Sequence, residues 1–340
     1  MKVGAVTGGR LVPSARFRVR QYMAPLKRHG IALSEFEAHT SCYPPRAGYI
    51  RPFWGALRLA EMGLAAHWTR QFDVTLMQRE MVSTFATLES FTRSPRVLDV
   101  DDAIHLLRGG QAARKLAQLS ERVICGNGHL AEIYRQWNSD VVVLPTPVDT
   151  DKYTPVEAVA EKPELVLGWI GTSANLQYLQ AIEGALSVVL SKHPHALLQV
   201  VCDQPPAFKT LGPEQVRHVP WCEESEVELI QSFDVGLMPL ADSPWARAKC
   251  SFKMLQYMSC GLPVVVSPVG MNAEVLRQAA IGFAAMGDDE WIGRLDELLS
   301  QASLRAALGR AGRTLAISDF SLSSLAPRLA QFLGVVEVTQ

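Results

Sequence analysis

"WARAKCSFKMLQYMSCGLPVVVSPVGMNAEVL", Trp245 to Leu276, is the stretch from which the fold can be read. Ser251 stands where a helix N-cap belongs, and Phe252, Leu255 and Met258 then fall three apart, on one helical face. Gly261 and Pro263 stop the helix. The valines at 264, 265 and 266 follow without polar alternation, as in a strand buried on both faces, and such strands belong to parallel sheets covered by helices.

The same unit repeats on either side. In the second half the runs are "LVLGWIG" from Leu165, "ALLQVVC" from Ala196, "VRHVPW" from Val216, "DVGLMPL" from Asp234, "PVVVSPVG" from Pro263 and "GFAA" from Gly282. In the first half they are "KVGAV" from Lys2, "IALSEF" from Ile31, "DVTLMQ" from Asp73, "RVLDV" from Arg96, "RVIC" from Arg122 and "VVVL" from Val141. Strands alternating with helical patterns predict two α/β domains, each with a doubly wound parallel sheet. A chain of 340 residues exceeds what one core usually supports. Between the halves, "PTPVDTDKYTPVEAVAEKPE" carries Pro145, Pro147, Pro155 and Pro163, too many for a helix or a central strand. The expected domains are 1–155 and 156–318, with a final helix over 319–340 packing back on the first. Ligands of paired α/β domains sit at the carboxyl ends of the strands, so the expected site is a cleft between two facing sheets.

Composition narrows the function classes. No apolar run reaches the length of a membrane span. "MKVGAVTGGR" reads as a strand entering a glycine turn rather than as a secretory signal. The six cysteines form no C-x-x-C pair and mostly lie in apolar runs, so reduced, structural thiols and a cytoplasmic location are expected. Residues 1–150 hold 19 Lys and Arg against 13 Asp and Glu, whereas residues 151–340 hold 14 against 21. A basic first half suits an anionic substrate or an anionic membrane surface, and scattered solvated charge explains it equally well.

Lys249 lies just before the Ser251 cap, and Lys253 and Gln256 share the polar face of the helix that follows. Ammonium groups at a helix start form an anion site together with the free backbone N–H groups, and a diphosphate fits it.

The segment resembles the donor-binding signature of glycosyltransferase family 4, the retaining GT-B enzymes, in which Glu, seven residues and Glu-Ala-Met-x-Cys-Gly-x-Pro-Val-Val follow one another. "LQYMSCGLPVVVSPVG" is similar to its second half. "LGWIGT", "VLPTPVDTDKY" and "SARFRVRQYMAPLKRHGI" resemble the donor-domain opening, the interdomain segment and part of the acceptor domain. The resemblance implies an α/β GT-B fold of two Rossmann-like domains, and transfer of a sugar from a nucleotide-diphosphate donor to an acceptor hydroxyl with retained configuration. Two departures stand out: Ala248 occupies the position of the first glutamate and Gln256 that of the second, which grips the ribose in the family. An amide can still accept and donate to a diol.

Residue by residue, the resemblance implies donor contacts at Gly171, Thr172, Ser173, Trp221, Lys249, Ser251, Lys253 and Gln256. Trp221 at a strand end could stack on the base or pack against the next helix. "TGGR" resembles the glycine loop that lets phosphate and acceptor approach the backbone, giving Gly8, Gly9 and Arg10. Arg16 and Arg20, four apart at an expected helix start, oppose its dipole, which favours an anion-binding role; Arg18 points elsewhere.

"DVDDAIHL", Asp99 to Leu106, has three readings: a metal-binding D-x-D, a base aimed at substrate, or a loop. A complete second domain with its own cationic anion site makes a metal unnecessary, and in the resemblance Asp101 falls where a polar residue faces the reacting sugar. Asp101 is therefore expected to be catalytic with Lys249 and Lys253, while Asp99 and Asp102 fix the loop and His105 is a secondary candidate. "GNGHLA", Gly126 to Ala131, has the letters of a dinucleotide fingerprint but follows the fifth strand and lacks the later acidic residue, so NAD is the weakest option. Tyr49 to Phe72 mixes aromatics and arginines, as in a surface-lying membrane helix, although packing on its own sheet is favoured.

The expected function is a retaining glycosyltransferase with no cofactor and no essential metal. Its expected partners are a nucleotide-sugar donor and a glycan, lipid-linked or small-molecule acceptor, without nucleic acid. Peripheral contact with the inner membrane face is left open. The alternatives are an epimerase of the same architecture and a non-catalytic nucleotide-sugar-binding protein.

Overall fold

The computed structural model describes residues 1–9, 12–156 and 164–334. The chain forms two compact units, one of Met1–Pro147 with Ala248–Cys250 and the C-terminal segment from Leu322, the other of Val148–Arg247 with Ser251–Ser321.

All twelve expected strands form. The first unit holds β1 (Lys2–Val6), β2 (Ala32–Phe36), β3 (Val74–Gln78), β4 (Arg96–Val100), β5 (Arg122–Cys125) and β6 (Val141–Val143) in one parallel sheet of order β2-β1-β3-β4-β5-β6. The order reverses between β1 and β3, and it is there, outside the carboxyl ends, that doubly wound sheets bind ligands. The central strand β3 is buried at every residue, which explains its unbroken apolar run.

The second unit holds β7 (Leu165–Ile170), β8 (Ala196–Cys202), β9 (Val216–Pro220), β10 (Val235–Met238), β11 (Val264–Val266) and β12 (Gly282–Ala284), again parallel, in the order β12-β11-β10-β7-β8-β9. Its switch point lies between β7 and β10. These two strands pair Gly168 with Gly236, and each glycine is covered by an aromatic ring. A Cβ on Gly168 would lie 2.0 Å from the Phe233 ring, and one on Gly236 would lie 2.4 Å from Tyr257. The absence of side chains here lets the Phe233 and Tyr257 rings lie directly on the sheet.

The helix Phe252–Ser259 ends at Gly261 with φ +72° and leads straight into β11. At its other end the expected cap does not form. Ser251 is left-handed, φ +50°, and its hydroxyl donates to Asn272 Oδ1 at 2.6 Å instead of capping the helix. The Asn272 carboxamide in turn donates to Ser267 O at 3.0 Å, so a buried tertiary pair replaces the local cap.

The last described helix, Leu322–Gly334, belongs to the first unit. Its Leu325, Leu329 and Leu333 join Val3, Leu76 and Leu144 in that unit's core. Within the second unit the outgoing and returning strands of chain run side by side, with Val148 N donating to Phe320 O at 2.8 Å.

Candidate functional site

In the second unit the residues after β7 define the site. Gly171 is the first residue beyond the strand, and a Cβ there would lie 2.9 Å from Lys253 Cε. The Lys253 stem therefore crosses the carboxyl end of β7 at the switch point, bringing together two of the expected donor residues. Thr172 Oγ1 accepts from Asn175 Nδ2 at 2.8 Å. Ser173 turns toward β8: its N–H and hydroxyl donate to the two oxygens of Asp203 at 2.7 and 2.8 Å. Those bonds hold the Asp203 carboxyl below its ordinary range.

A second cluster lies beyond β9 and is centred on Glu226, which the sequence did not single out. This buried carboxylate accepts from Trp221 Nε1 at 2.8 Å, from Gln256 Nε2 at 3.1 Å and from the Tyr153 hydroxyl. Gln256 also donates to the Tyr153 hydroxyl at 3.0 Å. Expected as an open ligand for ribose, Gln256 is 96% buried with its amide directed into this network; a Glu there would set two carboxylates side by side, which accounts for the amide. Trp221 is neither free nor submerged: its indole N–H is fixed by Glu226 while the residue remains 42% exposed.

Lys249 belongs by its contacts to the first unit. Its carbonyl accepts from Asn127 Nδ2 at 3.0 Å, and Cys250 Sγ donates to Asp101 O at 3.1 Å. Gly126 makes this possible, since a Cβ there would lie 2.2 Å from Cys250 Sγ. The "GNGHLA" glycine is thus a packing glycine, and Asn127 is the N-cap of the helix Gly128–Tyr134, accepting from Leu130 N at 2.8 Å. Ala248 is fully buried, so the glutamate of the resembled signature would be a buried charge at this position.

The three carboxylates after β4 have different fates. Asp99 does not fix its loop. It forms a buried bidentate pair with Arg18, Nε to Oδ1 at 2.9 Å and the second guanidinium nitrogen to Oδ2 at 2.6 Å. Burial opposes the Arg18 charge, but Asp99 raises its pKa further, so the pair stays ionised. Asp102 does fix the loop, accepting from Ala103 N at 2.8 Å. Asp101 Oδ1 accepts from Gln78 Nε2 at 3.3 Å, from the end of β3. Burial pushes its carboxyl up to about 7, aided by the charges of Asp99 and Asp102 and opposed by Arg18 and Arg79. With both Asp99 oxygens on a guanidinium, "DVD" does not present a D-x-D cation site. Among the described residues no group of three or more His, Cys, Asp or Glu side chains could hold a metal ion. His105 keeps a buried Nδ1 without a hydrogen-bond partner, and burial lowers its pKa.

The glycine turn after β1 is closed by the first unit itself. Gly8 O accepts from Cys42 N at 3.0 Å, a Cβ on Gly8 would lie 2.9 Å from Cys42 Sγ, and Gly9 has φ +112°. Arg10 lies outside the described residues. Arg16 and Arg18 are in the last turn of the short helix Pro13–Arg18, where the dipole favours a cation, and not at a helix start. Arg16 stacks on Phe17, 4.7 Å to the ring centroid. Arg20 is paired with Glu35 at 2.6 Å and also donates to Gly9 O at 3.3 Å, so it braces the glycine turn.

Two doubly wound Rossmann-like domains in one chain define the GT-B architecture. Residues 164–301 match the family model for glycosyl transferases group 1. No curated protein matches the sequence. Among solved structures, the chain is similar to sucrose-phosphate synthase (tll1590) from Thermosynechococcus elongatus, at 13% identity and TM-score 0.72, covering 98% of each chain. It is likewise similar to Anabaena Alr3699/HepE in complex with UDP and glucose, at 16% identity and TM-score 0.71, covering 98% of this chain and 99% of that one. WaaG, a glycosyltransferase involved in lipopolysaccharide biosynthesis, matches at 14% identity and TM-score 0.69, covering 98% of this chain and all of the other.

Proposed function

We propose that the protein transfers a sugar from a nucleotide-diphosphate donor to an acceptor hydroxyl with retained anomeric configuration, as family 4 enzymes do. The observation that carries this is the coincidence of the group 1 match with a sheet whose switch point bears Lys253 against Gly171. A lysine at the carboxyl end of β7 suits a diphosphate, and it offsets the negative charge that grows there as the glycosidic bond breaks. Lys249 is the second cation that the resemblance assigns to the donor phosphates. HepE, a structural neighbour, is described in complex with UDP and with UDP-glucose, which makes a uridine donor the first to try.

Asp101 is the candidate acid–base group. A carboxyl that titrates near neutrality is half protonated at working pH, so it suits proton exchange with the acceptor hydroxyl better than a fixed negative field. The acceptor is expected to be a surface glycan, a lipid-linked glycan or a small molecule, and the location cytoplasmic. Among the described residues no helix is long and apolar enough to cross a membrane.

A thermal-shift panel of UDP-, GDP- and dTDP-sugars tests the reading, because a donor that binds only the folded chain raises Tm. With the donor in hand, the anomeric proton coupling of the product in NMR distinguishes retention from inversion. Donor binding without transfer to any acceptor would favour a second reading, a binding protein, to which buried Ala248 and the engaged Gln256 already lend weight.

A further inference from the structure

We propose that the outer face of the helix Arg51–Trp68 docks on an anionic lipid bilayer. The helix has two apolar faces where a domain helix needs one. Its inner face is used: Met62 and Ala65 pack with Val6, Met81 and Val82, and buried Arg58 donates to Met81 O and Thr40 O. Packing on its own sheet, the favoured expectation from the sequence, accounts for that face alone.

The outer face carries Phe53, Leu57, Ala60 and Leu64, which at 3.6 residues per turn fall within an arc of about 60°. Phe53 is 79% exposed and Leu64 64%, and Tyr49, 81% exposed, continues the stripe from the preceding turn with Ile50. The turn Glu89–Phe91 packs beside this helix and exposes Phe91 as well. A continuous apolar stripe of this size on a soluble surface marks an interaction site.

Charge selects the occupant. From Tyr43 to Phe72 the only acidic residue is Glu61, which is buried and accepts from His39 N and Thr40 N. The exposed charges are Arg46 and Arg51 at one end and Arg70 at the other. Arg51 sits in the first turn, where a cation opposes the helix dipole; its Nε donates to Pro45 O at 3.1 Å, and the side chain remains exposed. Between Tyr43 and Trp68 there is no Ser, Thr, Asn or Gln. A protein partner would need hydrogen bonds across such an interface, whereas lipid needs only an apolar stripe flanked by cations.

Co-sedimentation of the full chain with vesicles tests this, using phosphatidylcholine alone and an equal mixture with phosphatidylglycerol. The expected result is binding to the mixed vesicles that weakens with salt, falls about fivefold for each arginine in Arg46→Gln and Arg51→Gln, and falls at least about tenfold in Phe53→Ser/Leu57→Ser/Leu64→Ser. The replaced side chains are exposed, so each variant should keep the wild-type Tm; should the triple variant not fold, the arginine variants and Phe53→Ser alone decide. Equal binding to neutral and mixed vesicles, or equal binding by wild type and variants, overturns the proposal. So does a wild-type dimer in sedimentation velocity that the serine variant abolishes while no vesicle binding is seen, because the stripe would then belong to a second copy.

Discussion

Replacing Asp101 by Asn should make the protein more stable, and increasingly so as pH rises. The Asp101 carboxyl moves from its ordinary 3.8 to about 7 on folding. The folded chain therefore holds a proton there that the unfolded chain has released, and the resulting penalty grows as pH rises from about 4 to about 7 and then levels off. A rise of that size corresponds to about 4 kcal/mol, an upper value because the side chain keeps some contact with water. Asparagine cannot ionise and can still accept the Gln78 amide donated at 3.3 Å. The stability gap between Asp101→Asn and wild type should open from about 1.5 kcal/mol at pH 5 to about 4 kcal/mol at pH 8. Urea unfolding of both proteins at the two pH values measures it. A gap that does not change with pH, or a variant less stable than wild type at pH 8, would refute the assignment. Activity should move the other way, because a destabilising carboxyl is retained at a site for what it does there.

Three further outcomes follow from the packing. Asp99→Asn or Arg18→Met leaves one member of a buried pair uncompensated and should cost about 3–5 kcal/mol by denaturant unfolding, whereas replacing both with apolar residues should recover much of it. Gly309→Ala would place a Cβ 2.0 Å from Gly261 O, so the long helix Ala302–Phe320 must shift, with a loss of about 1–3 kcal/mol and a lower Tm. Gln256→Glu, which restores the residue of the resembled signature, sets a second carboxylate against Glu226. Its pKa should rise, so the destabilisation should be larger at pH 8 than at pH 5, and equal losses at both would contradict the network.

The strands were legible because burial on both faces leaves an unbroken apolar run, as in "VTLMQ" and the three valines of β11. What the sequence concealed depends on partners far along the chain. Nothing near Arg18 announces Asp99, 81 positions later, so a structural pair read as one spare arginine and one loop carboxylate. Ser251 has the letters of a cap, but Asn272 takes its hydroxyl and the backbone turns left-handed. Among Glu223, Glu224 and Glu226, only the fold shows which carboxylate lies beneath Trp221. The basic residues near Arg16 were misread for a local reason: the helix there is six residues long and ends at Arg18. Lys253 and Gly171, by contrast, were both singled out from the sequence, and the fold brings them together.

Calorimetric titration of wild type and Lys253→Ala with UDP, and then with the donor sugar that raises Tm most, tests the central claim most directly. The account predicts binding by wild type that weakens at least about tenfold in Lys253→Ala, since a charge-assisted contact to phosphate is lost. Undiminished affinity in a folded Lys253→Ala, or no binding of any nucleotide sugar by wild type, would contradict it.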